Sequence, residues 1–388
     1  MSESAAINQD RRRWLQRHAL AAAAAPFATL VPLAASARTV PVPAGRRAAS
    51  PSADGRLHLD LNESSYGPSP KVAAAVTAAL SLAPRYVSAA QGQALTAQIA
   101  ALEGVTPAQV VLGEVLEALG QHLARSAGGG EFIYSVPGYG ALVDAATPFG
   151  GRAREVPLDA DLHNDLPALL AAVGTQTRAL FVVNPHNPSG TVSATDAFDT
   201  FVIAAARQTL VIVDEAYLDY LPDAGQRSAV RLLRQGHQVA VFRTLGKIHA
   251  LAGLQIGYAL VPEALGQALR ASGIGSAHGL NQLSLAATAA TLADPGHVAE
   301  VRDAVAAERA GWLALLRQHT LRYAEPAGNF VFFDAGRPHA EVAAALGKQG
   351  IQVARVFEPY TNWVRITIGT PEENARAQRA LLQVLAGR

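Results

Sequence analysis

The chain has no cysteine and little charge: of its 388 residues only 16% are Asp, Glu, Lys or Arg, and the formal net charge is +1. Without cysteine there is no disulfide, no thiolate metal site and no thiol nucleophile, and the redox compartment is left open. A near-neutral balance with no basic block gives no electrostatic footprint for nucleic acid. No other cluster in the sequence marks a metal site. Hydrophobic residues are abundant, at 50%. The length allows two domains, or one large domain with a smaller partner, and a sizeable core.

A hydrophobic run fit to span a membrane is also missing. The nearest approach is "DRRRWLQRHALAAAAAPFATLVPLAASA" near the N terminus, where Pro26 and Pro32 interrupt an alanine-rich stretch of low transfer energy. Its basic start and its small-x-small end at Ala35-Ser36-Ala37 are those of an export signal. The stretch resembles a twin-arginine signal with Arg11 and Arg12 as the pair. That resemblance implies recognition by the twin-arginine export machinery, cleavage after Ala37, a periplasmic or otherwise exported protein, and no stable membrane span after cleavage.

Four segments follow from the texture of the chain: the signal over 1–37, an extended arm over 38–68, a large domain over 69–272 and a small one over 273–388. In the large domain, apolar runs such as "ALFVVN" (179–184), "TLVIVDEAY" (209–217), "VAVFRT" (239–244) and "IGYALV" (256–261) alternate with helical stretches such as "DAFDTFVIAAARQ" (196–208). Continuous apolar strands separated by helices predict a mostly parallel α/β sheet covered on both faces, with function at the carboxyl ends of the strands. The last segment, with helices over 284–292 and 297–318 and strands "NFVFFD" (329–334) and "WVRITIG" (363–369), reads as a smaller α+β domain.

Three polar groups fall at predicted strand ends: Asn187 after "ALFVVN", Asp214 at the end of "VIVD" and Lys247 after "VAVFRT". Lys247 sits among Leu245, Gly246 and Ile248, an apolar setting that favours the neutral, nucleophilic amine. A lysine, a carboxylate, an amide and the nearby Tyr217 are what pyridoxal phosphate requires. The lysine forms the Schiff base, and the carboxylate keeps the ring nitrogen protonated so that the ring accepts a carbanion's electrons.

Five ordered motifs carry a resemblance over nearly the whole mature chain: "LDLNESSYGPSP" (59–70), "NPHNPSGT" (184–191), "VIVDEAY" (211–217), "RTLGKIHALAGLQIGY" (243–258) and "VRITIGTPEEN" (364–374). The chain resembles the fold-type I pyridoxal phosphate-dependent aminotransferases, most closely the histidinol-phosphate aminotransferase family. The resemblance implies the three-layer transferase fold and transfer of an amino group between an amino acid or amine and a 2-oxo acid. It also implies pyridoxal 5'-phosphate as cofactor, and a homodimer with the site at its interface. Residue by residue, it makes Lys247 the Schiff-base lysine and proton shuttle and pairs Asp214 with the ring nitrogen. Asn187 and Tyr217 bind the phenolic oxygen, and Tyr139 stacks on the ring. Thr244 and a partner chain's Tyr86 meet the phosphate. Arg365 clamps the substrate carboxylate with the help of Asn329, and Arg355 lies near the substrate side chain. A cis bond is expected at Asn187-Pro188. Lyases and decarboxylases use the same residues on this fold, and a non-catalytic relative is a third reading.

The departures from the family's pattern gather at the phosphate. The glycine-rich loop corresponds to "LGEVLEALG" (112–120), the serine before the lysine is Gly246, and the arginine eight residues after it is Gln255. Arg243 is the nearest residue that could supply the missing charge. The helix start after Gly113 can still offer backbone N–H groups to a phosphate, so the expectation is a cofactor held more weakly or by different anchors.

Overall fold

The computed structural model describes residues 54–387. The signal and most of the arm lie outside these residues. Eleven strands occur in this region: β1 (Leu57–Leu59), β2 (Val110–Leu112), β3 (Gly130–Val136), β4 (Gly151–Pro157), β5 (Thr177–Val183), β6 (Leu210–Asp214), β7 (Val239–Thr244), β8 (Gly257–Leu260), β9 (Phe330–Asp334), β10 (Ile351–Val353) and β11 (Trp363–Thr367). Seven of them form one sheet in the order β2-β8-β7-β6-β5-β3-β4. All its pairings are parallel except those made by β8, which runs antiparallel to both β7 and β2. The non-sequential order places helical crossovers on both faces, so the central strands are apolar on both sides: β5 and β6 are buried almost throughout. Strand β4, "GRAREVP", is an edge strand with most of its side chains exposed, and its polar composition hides it from a search for apolar runs.

Helix α1 (Pro70–Ala79) starts on Ser69, whose side chain accepts the N–H of Lys71, with proline at the first turn. Helix α2 (Ala89–Glu103) has a capping box between Ser88 and Gln91 and stops at Gly104 in the left-handed region, φ 63°. Helix α3 (Leu116–Ser126) has no side-chain cap. It follows the turn at Gly113, whose φ of 109° only glycine adopts without strain.

Helix α4 (Gln282–Leu292) lies in the stretch assigned from the sequence to the small domain, yet its Leu285 and Ala287 are buried in the sheet's core against α1 and α2. Its even scatter of apolar residues lets it be covered on several sides. The second core takes in α5 (Pro295–Gln318) through Trp312 and Leu316, with Phe330, Val364 and Ile366, and also Leu59, Tyr217 and Ile248. Strands β9 and β11 pair antiparallel there. Strand β1, within the segment read as an extended arm, is tied parallel to β10. Helix α6 (Pro371–Leu385) closes the chain with a capping box at Thr370 and Glu373. No helix among the described residues is long and apolar enough to cross a membrane.

Candidate active site

Strands β5, β6 and β7 lie side by side, with Val183 opposite Asp214 and Asp214 opposite Phe242. Their carboxyl ends therefore open at one level. There a cavity of ≈ 610 Å³ is lined by Asn187, Asp214, Tyr217, Thr244 and Lys247, together with Tyr139, Arg355 and Arg365. That volume suits a cofactor-sized ligand with a small substrate. Residues separated by more than 200 positions thus meet in one pocket.

The segment "NPHNPSGT" holds Asn187 by an internal lattice. His186 Nδ1 and Ser189 Oγ are 2.8 Å apart, Ser189 and Thr191 hydroxyls 2.9 Å, and the Thr191 hydroxyl donates to the carbonyl of Leu162 at 2.9 Å. Asn184 Oδ1 accepts the N–H of Ser193 at 3.0 Å. Gly190 has φ 80° and passes so near Pro326 that a Cβ would lie 3.1 Å from its Cα. The Asn187-Pro188 bond is cis, as expected. Buried Asn187 offers its Oδ1 to the guanidinium of Arg365.

Asp214 ends β6 and is 3% exposed. Burial pushes its pKa from 3.8 up to about 7, against the lowering effects of the Ala216 N–H, 2.9 Å from Oδ1, and of Lys247. A buried carboxylate facing a cavity with so little compensation is suited to a cationic N–H such as a protonated ring nitrogen. Lys247 Nζ donates to the carbonyl of Leu61 at 2.8 Å and lies 6.0 Å from the Tyr217 ring centroid. Tyr139 is part-exposed on the cavity wall. Its hydroxyl pKa is raised by burial first and then by Glu117 and Asp214.

Arg365 stands on β11, 6% exposed, with its guanidinium carbon 5.0 Å from the Phe357 ring and 5.5 Å from the Phe330 ring. Besides Asn187 it donates to the carbonyl of Asp60, and its Nε has no partner. Burial lowers its pKa to about 10, so it keeps its charge at neutral pH. Arg355 is exposed at the cavity edge, 4.6 Å over the Phe357 ring, and donates to the carbonyl of Val356.

The strand-end pattern does not reveal the strap over 60–63, which closes one wall. Its key residue is Asn62, buried at φ 55°, a left-handed position that asparagine tolerates. Asn62 Nδ2 donates to the Tyr217 hydroxyl at 3.0 Å, and its backbone N–H donates to Thr367 Oγ1 at 3.0 Å. Asn329 does not line the cavity: its amide donates to the carbonyls of Asn62 and Glu63, at 3.0 and 3.3 Å. It therefore acts on the strap, and no hydrogen bond joins it to Arg365. The only sequence signal there is an asparagine, a residue type that tolerates the left-handed region, within "LDLNESSYG".

Three residues expected near the phosphate are placed differently from one another. Thr244 lines the cavity, and its Oγ accepts the N–H of Gly246 at 3.1 Å. Tyr86 is 83% exposed, outside the cavity, with its ring 5.8 Å from His278. Gln255 lines a neighbouring cavity with Gly113, Glu114 and Glu117. Arg243 does not replace the missing charge. Its guanidinium lies 3.0 Å from Glu215, 3.5 Å from Asp219 and 3.8 Å from Glu103, beneath the cavity floor. Burial opposes that charge, and the three carboxylates outweigh it and raise the guanidinium pKa.

The donor set at the ring end therefore fits pyridoxal phosphate: Asp214 for the ring nitrogen, Asn187 and Tyr217 for the phenolic oxygen, Tyr139 beside the ring and Lys247 in reach. At the other end the cavity offers Thr244 and the start of α3, with Glu114 and Glu117 on its wall.

The chain is similar to known proteins over nearly all of its described residues. The family described as aminotransferase class I and II matches residues 55–381. An aromatic amino acid aminotransferase of Corynebacterium jeikeium is 36% identical over 85% of this chain and 89% of its own length. A histidinol-phosphate aminotransferase of Limosilactobacillus fermentum is 32% identical over 84% and 89%. The solved histidinol-phosphate aminotransferase of Sinorhizobium meliloti in complex with pyridoxal-5'-phosphate superposes with a TM-score of 0.77 at 28% identity, over 85% of this chain and 91% of that one.

Proposed function

Since the chain belongs to the class I and II aminotransferases, and is a pyridoxal phosphate-dependent aminotransferase, we propose that its amino donor is an α-amino acid whose carboxylate is received by Arg365. The observation that carries this is Arg365 itself: a buried guanidinium on the cavity wall, held by Asn187 and the Asp60 carbonyl, with Nε free of any partner. A planar fork is the group suited to a carboxylate. The donor's side chain then points to Phe357, Val353 and Arg355, an apolar wall with one exposed cation, which suits an aromatic side chain or one bearing an acidic group.

Bound in the cavity, pyridoxal phosphate supplies an electron sink for the carbanion left when the α-proton departs. The chain's own groups do the rest. Asp214 would hold the proton of the ring nitrogen, Asn187 and Tyr217 would hold the phenolic oxygen, and Asn62 fixes the Tyr217 hydroxyl. Lys247 Nζ, once released from the Leu61 carbonyl, is the base that moves the α-proton. The strap over 60–63 covers the site and limits water.

A panel of amino acids, aromatic and acidic ones first, with histidinol phosphate alongside and a 2-oxo acid as acceptor, tests the assignment. Formation of a new amino acid from the acceptor is expected with amino-acid donors. Turnover of histidinol phosphate alone would refute a carboxylate-bearing donor.

The dimer and the export route are further parts of the same proposal. Tyr86, Leu80 and Leu82 are exposed, a pattern that favours burial against a second copy. A sedimentation experiment that finds a monomer holding cofactor stoichiometrically would refute the dimer. The Arg11-Arg12 pair and the apolar stretch after it support export of the protein in folded form through the twin-arginine machinery, to the periplasm or beyond.

A further inference from the structure

The strap over 60–63 is held in two different ways. Its second half is fastened to the fold: Asn329 donates to the carbonyls of Asn62 and Glu63, the Asn62 N–H donates to Thr367 Oγ1, and the Thr367 hydroxyl donates to Asn62 Oδ1 at 3.2 Å. The first half hangs between β1, which ends at Leu59, and Asn62 at its left-handed φ of 55°. There the Asp60 carbonyl accepts from Nη2 of Arg365 and the Leu61 carbonyl from Nζ of Lys247, at 2.8 Å for the latter. No other hydrogen bond reaches either carbonyl among the described residues. Asp60 Oδ1 is buried without a hydrogen bond, 3.7 Å from His58 Nδ1. The Leu61 side chain is 62% exposed and joins none of the hydrophobic cores. The middle of the strap is thus pinned by the two side chains that the reaction takes for itself.

We propose that the Asp60–Leu61 backbone is a self-ligand of the active site: its two carbonyls occupy Arg365 and Lys247 until a ligand's carboxylate and the cofactor displace them, and each displacement eases the other. This rests on reading Arg365 as the carboxylate receptor. A guanidinium can grip a carboxylate with two prongs, either Nε with Nη2 or Nη1 with Nη2, and Nη2 belongs to both pairs. Nη1 is on Asn187 and Nε is free, so an arriving carboxylate has one prong open and takes the second from the Asp60 carbonyl. The two carbonyls are successive on a short segment anchored at both ends, so shifting one peptide unit drags the other. A first ligand must break both ties to use one group, and a second finds its group already free. The coupling is therefore positive and reciprocal. Charge alone gives the opposite sign, since the cofactor's phosphate brings negative charge into the cavity that a carboxylate must enter.

The probe is 3-phenylpropionate, a carboxylate with no amino group to transfer, titrated by calorimetry into the full-length apoprotein and into the cofactor-loaded protein. The loaded form should bind it about tenfold more tightly, and pyridoxal phosphate should gain the same factor when the probe is saturating. The decisive arm contains no cofactor. Lys247→Ala removes the tie to Leu61, so apoprotein of this variant should bind the probe about tenfold more tightly than wild-type apoprotein, although it has lost a cation. Lys247→Met, which removes the same tie but keeps the bulk of the stem, should match it. Probe affinity in both variants equal to or below that of wild-type apoprotein would overturn the self-ligand, and so would a gain in Lys247→Ala alone, which reports only the space opened. Coupling seen in the loaded wild type but in neither variant would mean that the probe touches the cofactor directly, and would overturn it too. If no form binds the probe, or Arg365→Met binds it as well as wild type does, the carboxylate reading falls and the self-ligand with it.

Discussion

Replacing Asp214 by Asn separates what the site costs the fold from what it gives the reaction. Asp214 is 3% exposed, and burial raises its pKa from 3.8 to about 7. Below about pH 4 both the folded and unfolded chains carry the proton, and the group makes no difference. As pH rises the unfolded chain releases its proton near 3.8 while the empty folded site keeps it until about 7. Over that window the folded state holds more protons than the unfolded, so stability falls with rising pH. At about 1.4 kcal/mol per pH unit, the apoprotein is less stable at pH 8 than at pH 4 by about 4 kcal/mol from this group alone. Asn keeps the Oδ1 that accepts the Ala216 N–H and carries no charge. Asp214→Asn should therefore be more stable than wild type at pH 8, by up to about 4 kcal/mol, and nearly equal to it at pH 4. Urea unfolding of the two apoproteins at several pH values measures the difference directly, because every other titrating group is shared. The variant should still take up pyridoxal phosphate but lose most transaminase turnover, since Asn cannot hold the ring nitrogen's proton as an ion pair. A difference in stability that does not change with pH would refute the buried-charge argument.

Lys247→Ala should abolish both turnover and the visible absorbance of lysine-bound cofactor while costing stability only about 1 kcal/mol, because the side chain makes a single hydrogen bond to Leu61; thermal unfolding and a spectrum of the variant with cofactor check both. Arg243→Met should cost about 3–5 kcal/mol in urea unfolding, because Glu215, 1% exposed and 3.0 Å from the guanidinium, would be left buried without its partner. Gln255→Arg should place a cation beside Glu114 and Glu117 at the edge of the second cavity and tighten pyridoxal phosphate by about 1.5–3 kcal/mol; unchanged affinity in titration would show that position 255 does not act on the phosphate. Arg11→Lys with Arg12→Lys should stop export, and an exported fraction with an intact N terminus would count against the signal.

The sheet and the ring-binding residues were legible in the sequence because each is local. An apolar run long enough for a strand, ended by one polar residue, carries its own signal, and three such ends at successive strands already imply one rim of a parallel sheet. Asn187, Asp214, Tyr217 and Lys247 could thus be chosen without coordinates, and Thr244 by the resemblance alone. Other features depend on partners distant in the chain. Edge strand β4 is too polar to register, and β1 exists only because β10 lies beside it. The scattered apolar residues of α4 do not say which core it joins, and only its contacts with α1 and α2 decide it. Asn62 shows its place only when Tyr217 and Thr367, 155 and 305 positions away, come within 3.0 Å of it. Arg243 has the right charge and the right address for the phosphate in the sequence. Three carboxylates from separate segments draw it beneath the floor instead, because a buried guanidinium goes where its charge is matched. That same withdrawal leaves Thr244 and Lys247 as the polar residues of this segment that reach the cavity, so the character of the phosphate end was decided by tertiary packing.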